Sequence, residues 1–126
     1  MVKIITNTDC GNAPKKEFIK QFNIAFAQGD IDFISENVTD NFEWQMIGKK
    51  QIKGKSNFIE ALKEMQAEDV VELILEKVLT HGKEGAASGI LKMKNGKDYA
   101  FSDFYTFSSA KGSQIKALTS YVIEIS

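Results

Sequence analysis

Residues 70–107, VVELILEKVLTHGKEGAASGILKMKNGKDYAFSDFYTF, alternate apolar and polar side chains with a period of two, the signature of strands half-buried in a sheet. The pattern breaks at Gly82-Lys83 and at Asn95-Gly96, dipeptides suited to tight hairpin turns, and resumes after SSAKGS (108–113) as QIKALTSYVIEI (114–125). Four antiparallel strands in a meander follow from this spacing. Each is about 10 to 12 residues long, roughly twice the usual length, so the sheet must bend to stay compact, with Gly85 and Gly89 as natural bulge or kink sites.

One residue in this stretch is out of character. Alternation puts Phe101, Asp103, Tyr105 and Phe107 on one face, so a carboxylate shares its surroundings with three aromatic rings. Such a group is costly to bury unless it is paired, hydrogen-bonded or protonated, which leaves three readings open: a pocket acid, a structural acid bonded to a tyrosine or to backbone, or an edge residue reaching water.

Upstream of the strands the period is helical. Pro14 suits a first helical turn, Phe18, Phe22, Ala25 and Phe26 form one stripe, and Gly29 ends the helix. Asp30 then caps a short second helix carrying Ile31, Phe33 and Ile34. NFEWQMIG (41–48) is a short strand, KKQIKGK (49–55) a polar turn region, and Ser56 the cap of a third helix with Phe58, Ile59, Leu62 and Met65 on one side. Residues 1–12 read as a mobile arm or a short extra strand. The order α-α-β-α-β-β-β-β predicts an α+β domain over residues 1–126: a cone-shaped half-barrel with N-terminal helices packed on a strongly curved, mostly antiparallel sheet.

Composition narrows the function. With 43% hydrophobic and 26% charged residues the chain matches ordinary globular proteins, and no apolar run approaches the length needed to span a membrane. All 16 basic residues are lysine, in runs no longer than two, and the net charge is −1, so a phosphate-binding face for nucleic acid is not expected. Cys10 is the sole cysteine, which excludes an internal disulfide, and together with a polar N-terminus points to the cytoplasm. One histidine, His81, rules out histidine-based triads and multi-histidine metal sites. No cofactor motif is present, so any chemistry would be cofactor-free acid–base work.

FAQGDIDFISENVTDNFEWQMIGKKQIKGKSNFIEAL (26–62), followed by SDFYTFSSAKGSQIKALTSYV (102–122), resembles the nuclear transport factor 2-like superfamily in its SnoaL-like and ketosteroid-isomerase-like branch. The resemblance spans about residues 14–125. It implies a cone of sheet and helices around an apolar small-molecule pocket, and a homodimer through the outer sheet face, for which Tyr99 and Tyr121 are candidates. Steroid isomerases of the superfamily use a helix tyrosine, a general-base aspartate on the first strand and a second, protonated acid on a later strand. Those positions fall here on Phe22, Gln45 and Asp103, so one of three is retained and steroid isomerisation is not expected. The epoxide-hydrolase branch relies on an Asp-Arg-Asp arrangement that a chain without arginine cannot build.

The expected catalytic candidate is therefore Asp103, in a pocket lined by Phe22, Trp44, Gln45, Phe58, Leu62, Ile90, Phe101, Tyr105 and Leu118. Trp44 and Gln45 have opposite parity, so only one of them faces inward; the resemblance favours Gln45, and size favours Trp44. Three functions compete: a cofactor-free isomerase or cyclase, a non-catalytic binder of an apolar molecule, and a dimerisation module.

Overall fold

A computed structural model describes residues 2–7, 13–65, 69–109 and 114–126. Helix α1 (Pro14–Gln28) carries Pro14 in its first turn and ends where Gly29 adopts φ 73°, a left-handed conformation that costs glycine little. The Asp30 N–H then returns to the Ala25 carbonyl at 2.8 Å, and the Asp30 carboxylate accepts from the Phe33 N–H at 3.1 Å, opening α2 (Ile31–Glu36). One Gly-Asp pair thus ends one helix and starts the next.

The rest of the chain forms β2 (Val38–Met46), β3 (Lys50–Lys53), α3 (Lys55–Met65), β4 (Val70–His81), β5 (Glu84–Met93), β6 (Asp98–Phe107) and β7 (Ile115–Glu124). With β1 (Lys3–Thr6) they make one open seven-stranded sheet in the order β1-β4-β5-β6-β7-β2-β3. Only the β1–β4 and β2–β7 pairs are parallel. The three helices pack on the concave side, and the fold is α+β as the periodicities predict.

Residues 3–6 form a short extra strand, one of the two expectations for the N-terminal stretch, held in register with Glu72 to Leu75; residues 8–12 with Cys10 lie outside the described residues. Two details depart from the sequence reading. Lys50–Lys53, expected as turn, pairs antiparallel with β2 because Ile52 meets Trp44 and packs on the core while its neighbours Gln51 and Lys53 are exposed. Gly48 and Gly54, at φ 80° and 89°, bracket that strand. The third helix begins at Lys55, one residue ahead of the expected cap Ser56.

The meander bends where its pairing slips. Register shifts between β4 and β5 fall at Val70/Glu72 and Leu75/Lys77, and Gly89 sits opposite Leu75 at the second of them. A Cβ built on Gly89 would overlap the Ile74 carbonyl oxygen and lie 3.0 Å from Cζ of Phe101, so the Phe101 ring rests directly on glycine backbone. The core between β2 and α3 is aromatic: the Phe42 and Phe58 rings meet tilted at 4.5 Å, and Trp44 meets Phe58 edge-on at 5.5 Å.

Because the close approach is to backbone, Gly89→Ala should destabilise the fold by about 2–4 kcal/mol in urea unfolding. Gly96→Ala, strained only by its φ of 89° with open space around it, should cost about 1–2 kcal/mol. A Gly89→Ala loss no larger than that of Gly96→Ala would contradict the bend.

Candidate functional site

Strands β4 to β7 and β2 curve away from α1 and α3 and leave a cavity of about 310 Å³, toward the small end of the range for small-molecule sites. Of its lining residues, Phe22, Leu118, Tyr105, Trp44, Phe101 and Ser120 are buried, Asp103, Met93 and Tyr99 are half-buried, and Val122, Ile47, Lys49 and Met65 are exposed and mark its outer side. Strand alternation explains most of this wall. Tyr99, Phe101, Asp103 and Tyr105 are successive inward residues of β6, and Leu118, Ser120 and Val122 are those of β7.

Six of the expected site residues meet on this cavity: Phe22, Trp44, Phe101, Asp103, Tyr105 and Leu118. Four do not. Gln45 is exposed between Gln51 and Thr119 on the opposite face of β2, because Trp44 takes the inward parity. Ile90 lies one residue before the inward Leu91 and so belongs to the outer face, opposite Ile74 and Ala100. Phe58 and Leu62 are buried on α3 in the core, with Phe58 backing the Trp44 ring rather than reaching the cavity. Tyr99, expected outside, stands on the cavity wall, whereas Tyr121 faces out against Phe104 at 6.0 Å.

Asp103 is the one carboxyl among the lining residues, and two chains of hydrogen bonds converge on it. In the first, the buried Asn23 amide donates to the Ile19 carbonyl at 2.9 Å and to Oη of Tyr105 at 2.8 Å, and the Tyr105 hydroxyl donates onward to Oδ2 of Asp103 at 3.4 Å. In the second, Nε1 of Trp44 donates to Oγ of Ser120 at 2.9 Å, and the Ser120 hydroxyl, directly across the β6–β7 pair, hydrogen-bonds to Asp103. Every donor in both chains is thus committed, and the chains end on an acceptor. No buried side-chain polar atom of the described residues lacks a partner.

Burial in this apolar wall raises the Asp103 carboxyl from 3.8 to about 6, and the hydrogen bonds from Ser120 and Tyr105 hold it from rising further. Burial also pushes the Tyr105 hydroxyl well above its ordinary value, with the Asp103 charge adding to the effect, so Tyr105 keeps its proton. At neutral pH the site presents a carboxylate with spare lone pairs, roughly ten parts ionised to one protonated. The steroid-isomerase likeness implied a neutral acid that donates; these surroundings instead leave Asp103 an acceptor near pH 7 and a donor only below about 6.

Sequence reasoning missed Asn23 and Ser120. Asn23 was detectable as a polar residue on the apolar face of α1, at i+4 from Ile19, and Ser120 only once the β6–β7 register is known. Among the described residues no group of His, Cys, Asp and Glu side chains is arranged to hold a metal ion, and no helix is long and apolar enough to cross a membrane.

No family model matches the chain, and no curated protein does. Solved structures do. An NTF2-like protein of unknown function from Cytophaga hutchinsonii superposes with a TM-score of 0.70 at 24% identity, over 86% of this chain and 98% of its own. A SnoaL-like family protein from Agrobacterium tumefaciens gives a TM-score of 0.70 at 13% identity, covering 86% and 97% of the two chains. An LEH-like epoxide hydrolase from M. tuberculosis gives 0.71 at 15% identity over 86% and 81%. This chain therefore has the NTF2-like fold that SnoaL-like proteins share, the fold the sequence resemblance implied; at these identities the likeness reaches the fold and no further.

The raised carboxyl has a measurable consequence for stability. Between pH 3.8 and about 6 the folded protein holds a proton on Asp103 that the unfolded chain has released, so this group's contribution to stability falls as pH rises through that window. Asp103→Asn has no such loss, and its stability relative to wild type should climb by about 2 kcal/mol between pH 4 and pH 7, at ~1.4 kcal/mol per unit of pKa difference. Parallel denaturant titrations at the two pH values measure it, and a constant difference would contradict the desolvated carboxyl.

Proposed function

We propose that the cavity receives a small, largely apolar molecule and that Asp103 accepts a hydrogen bond or a proton from a polar group on it. The convergence of two donor chains on a single carboxylate in an apolar wall carries this reading. A ligand hydroxyl pointing inward finds an acceptor there, and its apolar body replaces water against Trp44, Phe101 and Leu118.

A cofactor-free isomerase or cyclase is the second reading, favoured by a carboxyl tuned close to neutrality. Such an enzyme must also stabilise the oxygen anion formed when a proton leaves carbon, and the Asn23, Tyr105, Ser120 and Trp44 donors are already engaged. That inventory ranks binding ahead of catalysis. Steroid isomerisation is not proposed, since Phe22 has no hydroxyl and Gln45 faces away from the cavity. A cytoplasmic location is part of the proposal, resting on the single cysteine.

Calorimetric titration with matched apolar alcohols and their methyl ethers tests the binding reading. The alcohols should bind about fivefold to twentyfold more tightly, and Asp103→Asn should remove most of that preference. Equal affinity for alcohol and ether would sink the assignment. Exchange of α-protons of apolar ketones for deuterium, accelerated by wild type and not by Asp103→Asn, would instead establish the catalytic reading.

We also propose a homodimer through the outer sheet face, in line with the resemblance. Leu79, Phe104, Tyr121 and Ile123 are large apolar residues on the exposed side of β4, β6 and β7, with Ile123 67% and Leu79 61% exposed. Sedimentation should find a dimer at micromolar concentration that Phe104→Lys with Ile123→Lys dissociates. A wild-type monomer would remove the proposal.

A further inference from the structure

The cavity lining contains one cation, and it stands toward the outside. Lys49 lies in the turn after β2, its N–H bonded to the Met46 carbonyl, while Met46 pairs with Ser120 and Ser120 with Asp103. The two charged lining residues are therefore joined by a short path across β6, β7 and β2. The ion pairs of the described residues engage Lys20, Lys55, Lys63 and Lys97 and leave Lys49 unpaired. Its neighbour Lys50, the exposed first residue of β3, adds a second positive charge beside the turn. Around the lysine the cavity's outer residues are apolar, with Ile47, Met65 and Val122 all substantially exposed.

We propose that the ligand is an amphiphilic carboxylate, held with its apolar body in the cavity and its anionic end at the Lys49 ammonium. This rests on the small-molecule reading of the cavity and adds the charge and the direction of the ligand. The opposite orientation is disfavoured, because a carboxylate pushed inward would meet the ionised Asp103 with no cation beside it. At the outer end the same group stays partly hydrated and gains the ammonium. A polar group at the far end of the molecule then reaches Asp103. The two adjacent positive charges of Lys49 and Lys50 also draw an anion toward the opening.

The size of the site fits a chain of modest length. Tyr99, also on the cavity wall, is four residues along β6 from Asp103, so that wall runs roughly 13 Å at ~3.3 Å per residue, close to the extended length of a ten-carbon chain. A ω-hydroxylated medium-chain acid matches the wall in length and carries both polar groups the proposal requires.

The test is calorimetric titration of 10-hydroxydecanoate and its methyl ester, at low ionic strength and pH 7, against wild type and Lys49→Gln. Wild type should bind the acid about threefold to tenfold more tightly than the ester, with the preference shrinking as salt is added. Lys49→Gln should lose the preference while binding the ester as wild type does. Equal affinity of wild type for acid and ester overturns the role of Lys49 and leaves the cavity reading standing. So does a preference that survives Lys49→Gln. No binding of either compound by wild type overturns both.

Discussion

Strands of ten to twelve residues cannot lie flat on helices of fifteen and eleven residues without leaving the molecule's core, so the sheet has to curl. Gly89 makes that possible. Its missing side chain lets the Ile74 carbonyl and the Phe101 ring close over one point of β5, beside a register slip in the β4–β5 pair. The curl creates a concave face deeper than the helices fill. Phe22 and Phe26 of α1 and Phe58 of α3 close the inner region through edge-on contacts with Tyr105 and Trp44, and the space beyond them is the cavity. Curvature in the backbone is the origin of the site.

Polar groups that face such an interior must find partners within it. Asn23 links α1 to β6 through Tyr105, Trp44 links β2 to β7 through Ser120, and both links terminate at Asp103. A core with apolar residues at these positions would avoid the desolvation of a carboxylate, and would be more stable near neutral pH. The chain instead keeps an acid whose ionisation costs stability over the pH range in which it becomes a useful acceptor. The proposed role as a ligand acceptor would account for keeping a group that weakens the fold at neutral pH.

Much of this architecture was legible in the residues. The switch from helical to alternating period near Asp69, the Asn95-Gly96 and Gly82-Lys83 turns, and the Gly29-Asp30 helix junction are local signals, and local signals survive folding. The alternation of FSDFYTF was enough to put Asp103 beside Phe101 and Tyr105 on one face. What failed was nonlocal or depended on a single step of parity. Gln45 was favoured by likeness to other chains, whereas the indole of Trp44 takes the inward side and bonds Ser120. Ile90 and Tyr99 were each placed on the wrong face of their strands. Lys50–Lys53 looked like a turn because a four-residue edge strand with one apolar side chain has almost no pattern to detect. Ser120 had no local signal at all, since its role comes from the strand opposite.

Everything proposed for the cavity depends on the ionisation of Asp103, which can be observed directly. Carbon-13 NMR of the Asp103 side-chain carboxyl, assigned by comparison with Asp103→Asn and followed from pH 3 to pH 9, should show a midpoint near 6. A midpoint at or below 3.8 would mean a solvated or charge-paired carboxylate, and the desolvated acid at the centre of this account would have no basis.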